Sequence, residues 1–311
     1  MSGPAPRFAV IVIVLDGERF LAEAIESVRA QTMEDWELVV VDDGSRDATP
    51  EIVADFAARD PRIRGVAHPD RRNLGMSASR NAGVAATRAA QLVFLDHDDV
   101  FEPRKLEALG GLLEAHPEAM AAFGPNLRWR SWNPDAGEAD VVQDLGAKDG
   151  VLAPPGTLPT FLTRSDATPL GPVLRRRAFD AVGGYDPAFR GMHEDQAFFA
   201  RLMLRHPVAV CREVLHRYRM HEDSCVAAAH RAGTALAARR RYLDWLGREL
   251  ARSPLAADAA LRRAVRAARP SRRAVLSARL ERIALNLAGR APRRGRGPRA
   301  ADSNGSPQDP A

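Results

Sequence analysis

Between Asp96 and Asp99 the chain places three carboxylates and a histidine in four consecutive positions, at the end of the apolar run "LVFLDHDD". Like charges this close repel, and one of them is driven to hold a proton. A bound Mg²⁺ or Mn²⁺ would relieve that repulsion, because hard cations seek carboxylate and phosphate oxygens. A solvated turn is the plainer alternative. On an extended segment neighbouring side chains alternate sides, so His97 points away from its two flanking acids. A second acidic end occurs in "VVVDDGSRD", where Asp42 and Asp43 offer acceptors for a nucleobase N–H or ribose hydroxyls. The same residue types also build turns and helix N-caps. A third pair, Glu194 and Asp195 in "GMHEDQAFF", precedes an apolar helix. It can serve as a general base or merely complement a helix dipole.

These residues need elements to position them. Residues 7–17, "RFAVIVIVLDG", form a β-branched apolar run that predicts a strand buried on both faces. Helical spacing follows over 18–32, and "WELVVVDDGSRD" (36–47) is a second strand running into acids. A helix over 48–60 with Pro50 near its start, a strand over 62–68, a helix over 73–89, a strand over 91–99 and a helix over 102–117 complete the alternation. Four strand–helix repeats predict an open, mostly parallel α/β sheet with helices on both faces. Ligands of such sheets sit outside the carboxyl ends of the strands, where both Asp42–Asp43 and Asp96–Asp99 lie. Beyond residue 120 the pattern loosens. "MAAFGPNLRWRSW" reads as one strand, 133–160 as a polar Gly/Pro-rich stretch, 168–207 as strand, short helix, loop and helix, and 208–224 as a last strand.

The chain has 311 residues, 45% hydrophobic and 27% charged, which is a soluble globular composition with room for a large core. Two cysteines exclude a disulfide framework and suit a reducing compartment. The run Phe8–Leu15 lacks the basic flank and cleavage site of a signal peptide, and no apolar run reaches the ~20 residues of a spanning helix. A cytoplasmic protein is expected. Dinucleotide and P-loop fingerprints, the serine-hydrolase elbow and zinc-ligand spacing do not occur.

The order of the pieces is more informative than any one of them. "ERFLAEAIESVRAQTMEDWELVVVDDGSRDAT", "NLGMSASRNAG", "LVFLDHDD" and "GGYDPAFRGMHEDQAFFARL" follow one another as in family 2 glycosyltransferases, which the chain closely resembles over residues 7–224. That resemblance implies a GT-A fold and inverting transfer of a sugar from a UDP-, GDP- or dTDP-linked donor to a carbohydrate or lipid-linked acceptor, in cell-envelope polysaccharide or glycoconjugate synthesis. It implies a nucleobase contact at Asp43 with Asp42 beside it, a basic nucleotide contact at Arg80, a ribose-side contact at Asp96 and a metal ligand at Asp98. It places the catalytic base at Asp195, an acceptor-side carboxylate at Glu194, and a diphosphate or metal contact at His221 within "YRMHEDS". Asp16 stands where the family often carries Asn. Mg²⁺ or Mn²⁺ is the implied cofactor. The domains implied are a catalytic unit over 1–227, with a nucleotide-sugar half over 7–120 and an acceptor half over 121–227.

Charge divides the chain unevenly. Residues 1–225 carry 26 basic against 34 acidic side chains, and residues 226–311 carry 19, all arginine, against 6. Residues 228–289 read as an Ala/Arg-rich helical extension and 290–311 as a disordered basic tail. Leu236, Tyr242, Leu243, Trp245, Leu246 and Leu250, then Val275, Leu276, Leu280, Ile283 and Leu287, stand as apolar positions among the arginines. They either pack on the catalytic unit or present a basic amphipathic face to anionic membrane. No nucleic-acid-binding motif accompanies the arginines, so nucleic acid is not expected as a partner. Two other functions remain open on sequence: a sugar nucleotidyltransferase, which wants a Gly-rich basic loop where this chain reads "DGERF", and a non-catalytic nucleotide-sugar-binding or membrane-docking module.

Overall fold

The computed structural model describes residues 5–164 and 168–277. The first half runs β1 (Phe8–Val14), α1 (Leu21–Arg29), β2 (Trp36–Asp42), α2 (Thr49–Arg59), β3 (Ile63–Ala67), α3 (Met76–Ala85), β4 (Gln91–Asp96), β5 (Val100–Phe101) and α4 (Lys105–Ala115). The second half runs β6 (Ala121–Phe123), β7 (Asn126–Trp129), β8 (Val141–Gln143), β9 (Gly150–Leu152), α5 (Leu158–Thr163), β10 (Val173–Arg175), α6 (Arg176–Val182), α7 (Glu194–Met203), β11 (Val208–Val210) and β12 (His216–Arg219). Helices α8 (Cys225–Arg231), α9 (Ala235–Ala251) and α10 (Ala259–Ala267) follow.

The main sheet has the order β3-β2-β1-β4-β10-β6-β11-β9. Strands β3, β2, β1 and β4 are parallel, and β10 and β9 are the antiparallel members. Every residue of β1 is buried, because helices cover both faces. Its side chains alternate between two cores. Ala9, Ile11 and Ile13 join α3, α6 and α7, while Phe8, Val10, Val12 and Val14 join α1, α2 and α4. Helix α3 lies close on β1 because residue 83 is glycine. A Cβ there would come within 2.3 Å of Ile11 Cγ2.

A second, smaller sheet has the order β5-β12-β7-β8. It corrects two strands expected from sequence. The 120–132 stretch is two strands in two sheets, parted at Gly124–Pro125, where proline cannot donate to a ladder. The 208–224 stretch likewise divides, with β11 in the main sheet and β12 in the small one.

Most of the apolar stripe of α9 faces inward, while Leu236 at its start and Leu276 beyond α10 are exposed. Tyr242, Leu243, Leu246 and Leu250 are buried in the core that holds α7, with Leu261 and Val265 of α10 beside them. Leu280, Ile283, Leu287 and the 290–311 tail lie outside the described residues. Among the described residues no helix is long and apolar enough to cross a membrane.

Candidate active site

The carboxyl ends of β1, β2 and β4 share one rim, and the loops there are laced by carboxylates. Asp16, at φ 51°, accepts from the Arg46 N–H at 2.8 Å while its own N–H donates to Ser45 Oγ at 2.9 Å. Asp42 accepts from the Ser45 N–H at 2.8 Å. Its other oxygen is buried without a hydrogen bond, with the Arg71 guanidinium 3.8 Å away. Asp43 accepts from the N–H groups of Leu74 (2.7 Å) and Gly75 (2.9 Å), so it fixes the entry to α3. The turn beside it requires Gly44, at φ +97°, because a Cβ would meet the Arg71 carbonyl oxygen at 2.5 Å.

Gly75 starts α3, and α3 delivers Arg80. This guanidinium is only 5% exposed and lies 2.8 Å from Asp96 Oδ1 and 3.2 Å from Glu194 Oε1, over the Tyr185 ring. Burial opposes its charge, yet the flanking Asp96 and Glu194 hold its pKa above the usual arginine value. Arg80 thus couples the end of β4 to the start of α7.

The three acids after β4 are not equivalent. Asp98 Oδ2 lies 2.9 Å from His221 Nε2, which outweighs burial and keeps the Asp98 carboxyl below its ordinary range. Asp99 is 1% exposed; its Oδ2 lies 2.8 Å from His216 Nε2 and its Oδ1 accepts from the Arg219 N–H. Burial, then the charges of Asp98 and Asp96, push Asp99 well above the usual carboxylate range. On the far side of His216, Nδ1 lies 3.2 Å from Lys105 Nζ. Lys105 is 1% exposed, and burial pushes it down to about 7. Burial, then Lys105, holds His216 well below the usual imidazole range. His97 turns aside and packs against Gly17.

The buried line Asp99–His216–Lys105 was not foreseen from sequence. Its one local signal is a lysine at 105, four residues before Leu109 on the apolar stripe of α4. Arg219 was missed as well. Its Nε donates to the Asp98 carbonyl at 2.7 Å, and it stacks among Phe20, Trp129 and Trp132.

Helix α7 begins at His193, in left-handed conformation at φ 68°. Glu194 is 6% exposed, and its Oε2 is buried without a hydrogen bond. Asp195 accepts from the Gln196 N–H at 2.6 Å. Burial, then the neighbouring Glu194, push Asp195 up to about 7. Arg80, Asp96, Asp99, Tyr185, Asp195 and His216 line one cavity of about 30 Å³. The structure therefore brings Arg80, Asp96, Glu194 and Asp195 together and pairs Asp98 with His221. Asp16, Asp42 and Asp43 form an adjoining cluster, linked through Gly75 and α3.

A divalent ion fits these residues in part. Among the described residues no three His, Cys, Asp or Glu side chains converge on one point. Asp98 and His221 do form a carboxylate–imidazole pair, and the Nδ1 of His221 is buried without a hydrogen bond. One oxygen and one nitrogen donor suit Mn²⁺ or Mg²⁺ whose remaining ligands are phosphate and water.

Comparison with solved structures defines the fold. TarS 1–349 of S. aureus, in complex with UDP-GlcNAc, superposes with a TM-score of 0.65 at 17% identity, over 80% of this chain and 68% of that one. The mannosyltransferase PcManGT of Pyrobaculum calidifontis, in complex with GDP-Man and Mn²⁺, gives 0.57 at 19% identity, over 92% and 80%. The architecture is that of GT-A glycosyltransferases. Residues 9–137 match the family model "Glycosyl transferase family 2", and the chain carries a family 2 glycosyltransferase domain. The succinoglycan biosynthesis protein ExoO of Rhizobium meliloti is 40% identical over 113 residues, 35% of this chain and 31% of that protein. Glycosyltransferase GlyA of Streptococcus pneumoniae is 37% identical over 103 residues, 33% and 14%. The chain thus aligns with a third or less of the length of these curated relatives.

Proposed function

We propose that the chain transfers a sugar from a nucleoside-diphosphate donor to an acceptor hydroxyl, with inversion, in the synthesis of an envelope polysaccharide or glycoconjugate. The observation that carries this reading is the Arg80 bridge, which ties the strand-end acid Asp96 to Glu194 at the start of α7, beside a cavity that Arg80, Asp96 and Asp195 line. The complexes of TarS with UDP-GlcNAc and of PcManGT with GDP-Man support a nucleotide-sugar donor. The relative ExoO, named for succinoglycan biosynthesis, supports a polysaccharide product.

Asp195 takes the role of base. With its pKa near 7, it is about half ionised at neutral pH and basic enough to accept the acceptor's hydroxyl proton as the new bond forms. Direct displacement needs one base and no enzyme nucleophile, and passes through an oxocarbenium-like transition state. Glu194 lies on the acceptor side of that base, and Arg80 fixes Glu194 and Asp96 to each other. Asp16, Asp42 and Asp43 shape the nucleoside end, where the unpaired Asp42 oxygen awaits an N–H or O–H donor. Asp98 and His221 would hold Mn²⁺ or Mg²⁺, which supplies positive charge against the departing diphosphate. Free Cys211 and Cys225 suit the reducing cytoplasm.

Thermal-shift measurements with UDP-, GDP- and dTDP-sugars, with and without Mn²⁺, test the reading. One donor is expected to raise Tm, more so with metal. No shift with any of them would overturn it.

A further inference from the structure

A second hollow lies beside the start of α7, sharing no lining residue with the acidic cavity. It measures about 320 Å³, within the range of small-molecule sites. One wall is the segment before α7, with Phe189 and Arg190. The other is α9, which contributes Arg241, Asp244, Trp245 and Arg248. Arg241, Trp245 and Arg248 stand at i, i+4 and i+7, on one helix face.

Three features suggest an anionic ligand. First, Arg190, Arg241 and Arg248 are exposed, and among the described residues none forms an ion pair with a carboxylate. The one acid in the wall, Asp244, is already bonded to Arg269 at 2.5 Å. The cleft is therefore uncompensated positive charge in a chain whose first 225 residues are net acidic. Second, the floor is apolar and fixed. The Phe189 ring meets Trp245 edge-on at 5.3 Å, and Arg201, itself paired to Asp186 and Glu249, lies over Trp245. A pyranose needs such a surface for its C–H face, and arginine forks match carboxylate and phosphate. Third, the cleft adjoins both halves of the proposed chemistry. Tyr242 of α9 stacks on His193, the residue before Glu194 and Asp195. The Arg190 side chain reaches Asn73 Oδ1 at 3.3 Å and lies against Gly75, whose N–H holds Asp43.

We propose that this cleft is an acceptor subsite, and that the acceptor is a saccharide bearing a carboxylate or phosphate gripped by Arg190, Arg241 and Arg248. The proposal rests on the transferase reading. Charge sorts the two substrates. The acidic cavity repels an anion that arrives without a cation, and the arginine cleft attracts one. A flat anionic membrane is the poorer occupant, because the hollow is concave and the apolar stripe of α9 is buried.

The test uses the full chain and four probes: a glucuronate-containing tetrasaccharide, a phosphorylated monosaccharide, cellotetraose, and phosphatidylglycerol vesicles. Binding is read by thermophoresis for the wild type and for Arg241→Ser/Arg248→Ser, whose side chains are exposed and leave the core intact. At least one charged saccharide is expected to bind about tenfold or more tighter than cellotetraose, and the double variant to lose about tenfold or more of that affinity. The donor-induced thermal shift should be the same in both proteins. Equal binding of charged and neutral saccharides, no saccharide binding, an unaffected double variant, or binding to vesicles alone would each overturn the proposal. A wild type that binds the charged saccharide but shows no donor shift would instead overturn the transferase reading and leave an anionic saccharide site.

Discussion

The acidic cavity and the arginine cleft are both charged hollows, built on opposite plans. At and beside the cavity each carboxylate of the β4 loop has an internal partner: Asp96 has Arg80, Asp98 has His221, and Asp99 has His216 and the Arg219 N–H. In the cleft, Arg190, Arg241 and Arg248 are exposed and lack carboxylate partners among the described residues. The difference separates two uses of charge. Groups that must act at one atom are preorganised by burial, at a desolvation cost that only their partners offset. Groups that only recognise a substituent stay exposed to water.

Breaking the preorganised side should have the largest effects. Asp195→Asn is expected to lower transfer by about 10²- to 10⁴-fold while leaving the donor-induced thermal shift in place. Single-turnover rates and thermal shift measured on the same protein decide it, and loss of both would remove Asp195 from the role of base. Arg80→Met leaves buried Glu194 without its counter-charge, facing the half-exposed Asp96, and should cost about 3–5 kcal/mol of stability by denaturant titration. Lys105→Met strands the Nδ1 of His216 and should cost about 1–3 kcal/mol, although Lys105 lies outside the β4 loop. The cleft should be indifferent by the same measure: Arg241→Ser should change stability by no more than about 0.5 kcal/mol. Equal losses at Lys105 and Arg241 would erase the contrast.

Solution conditions sharpen it further. The transfer rate requires ionised Asp195, so it should climb tenfold per pH unit below about 7 and level off above it. Raising salt should leave that midpoint nearly fixed, because the group is buried, while weakening saccharide binding in the open cleft.

Sequence alone conveys the first half of the fold. Strands β1, β2 and β4 are long apolar runs, and two-sided burial writes itself as a run rather than an alternation. It conveys much less about β6, β7, β11 and β12, whose three or four residues are too short to show a period. Gly124–Pro125 was the punctuation that marked one of the two breaks. In the site, the strand-end acids and the α7 pair were legible as clusters along the chain. The partners that distinguish them were not. His216 reaches Asp99 across 117 residues and Lys105 across 111, contacts set by the small sheet. The arginine cleft was illegible for the same reason, since it joins a loop near 190 to a helix face near 245. The apolar stripe of α9, which on sequence could have faced membrane, faces the core.

The small sheet also has a consequence for how the protein comes into being. Strand β12 pairs with β5 and β7, and only through it does His221 meet Asp98, 123 residues earlier. The quartet β3-β2-β1-β4 can assemble while the chain is still being synthesised, since its longest pairing spans fewer than a hundred residues. Throughout that interval Asp98 and Asp99 lack both histidines. Long-range pairings form late in folding. A ribosome-bound chain ending before β12 would therefore carry the family-matched segment in full and still have an unfinished acidic loop.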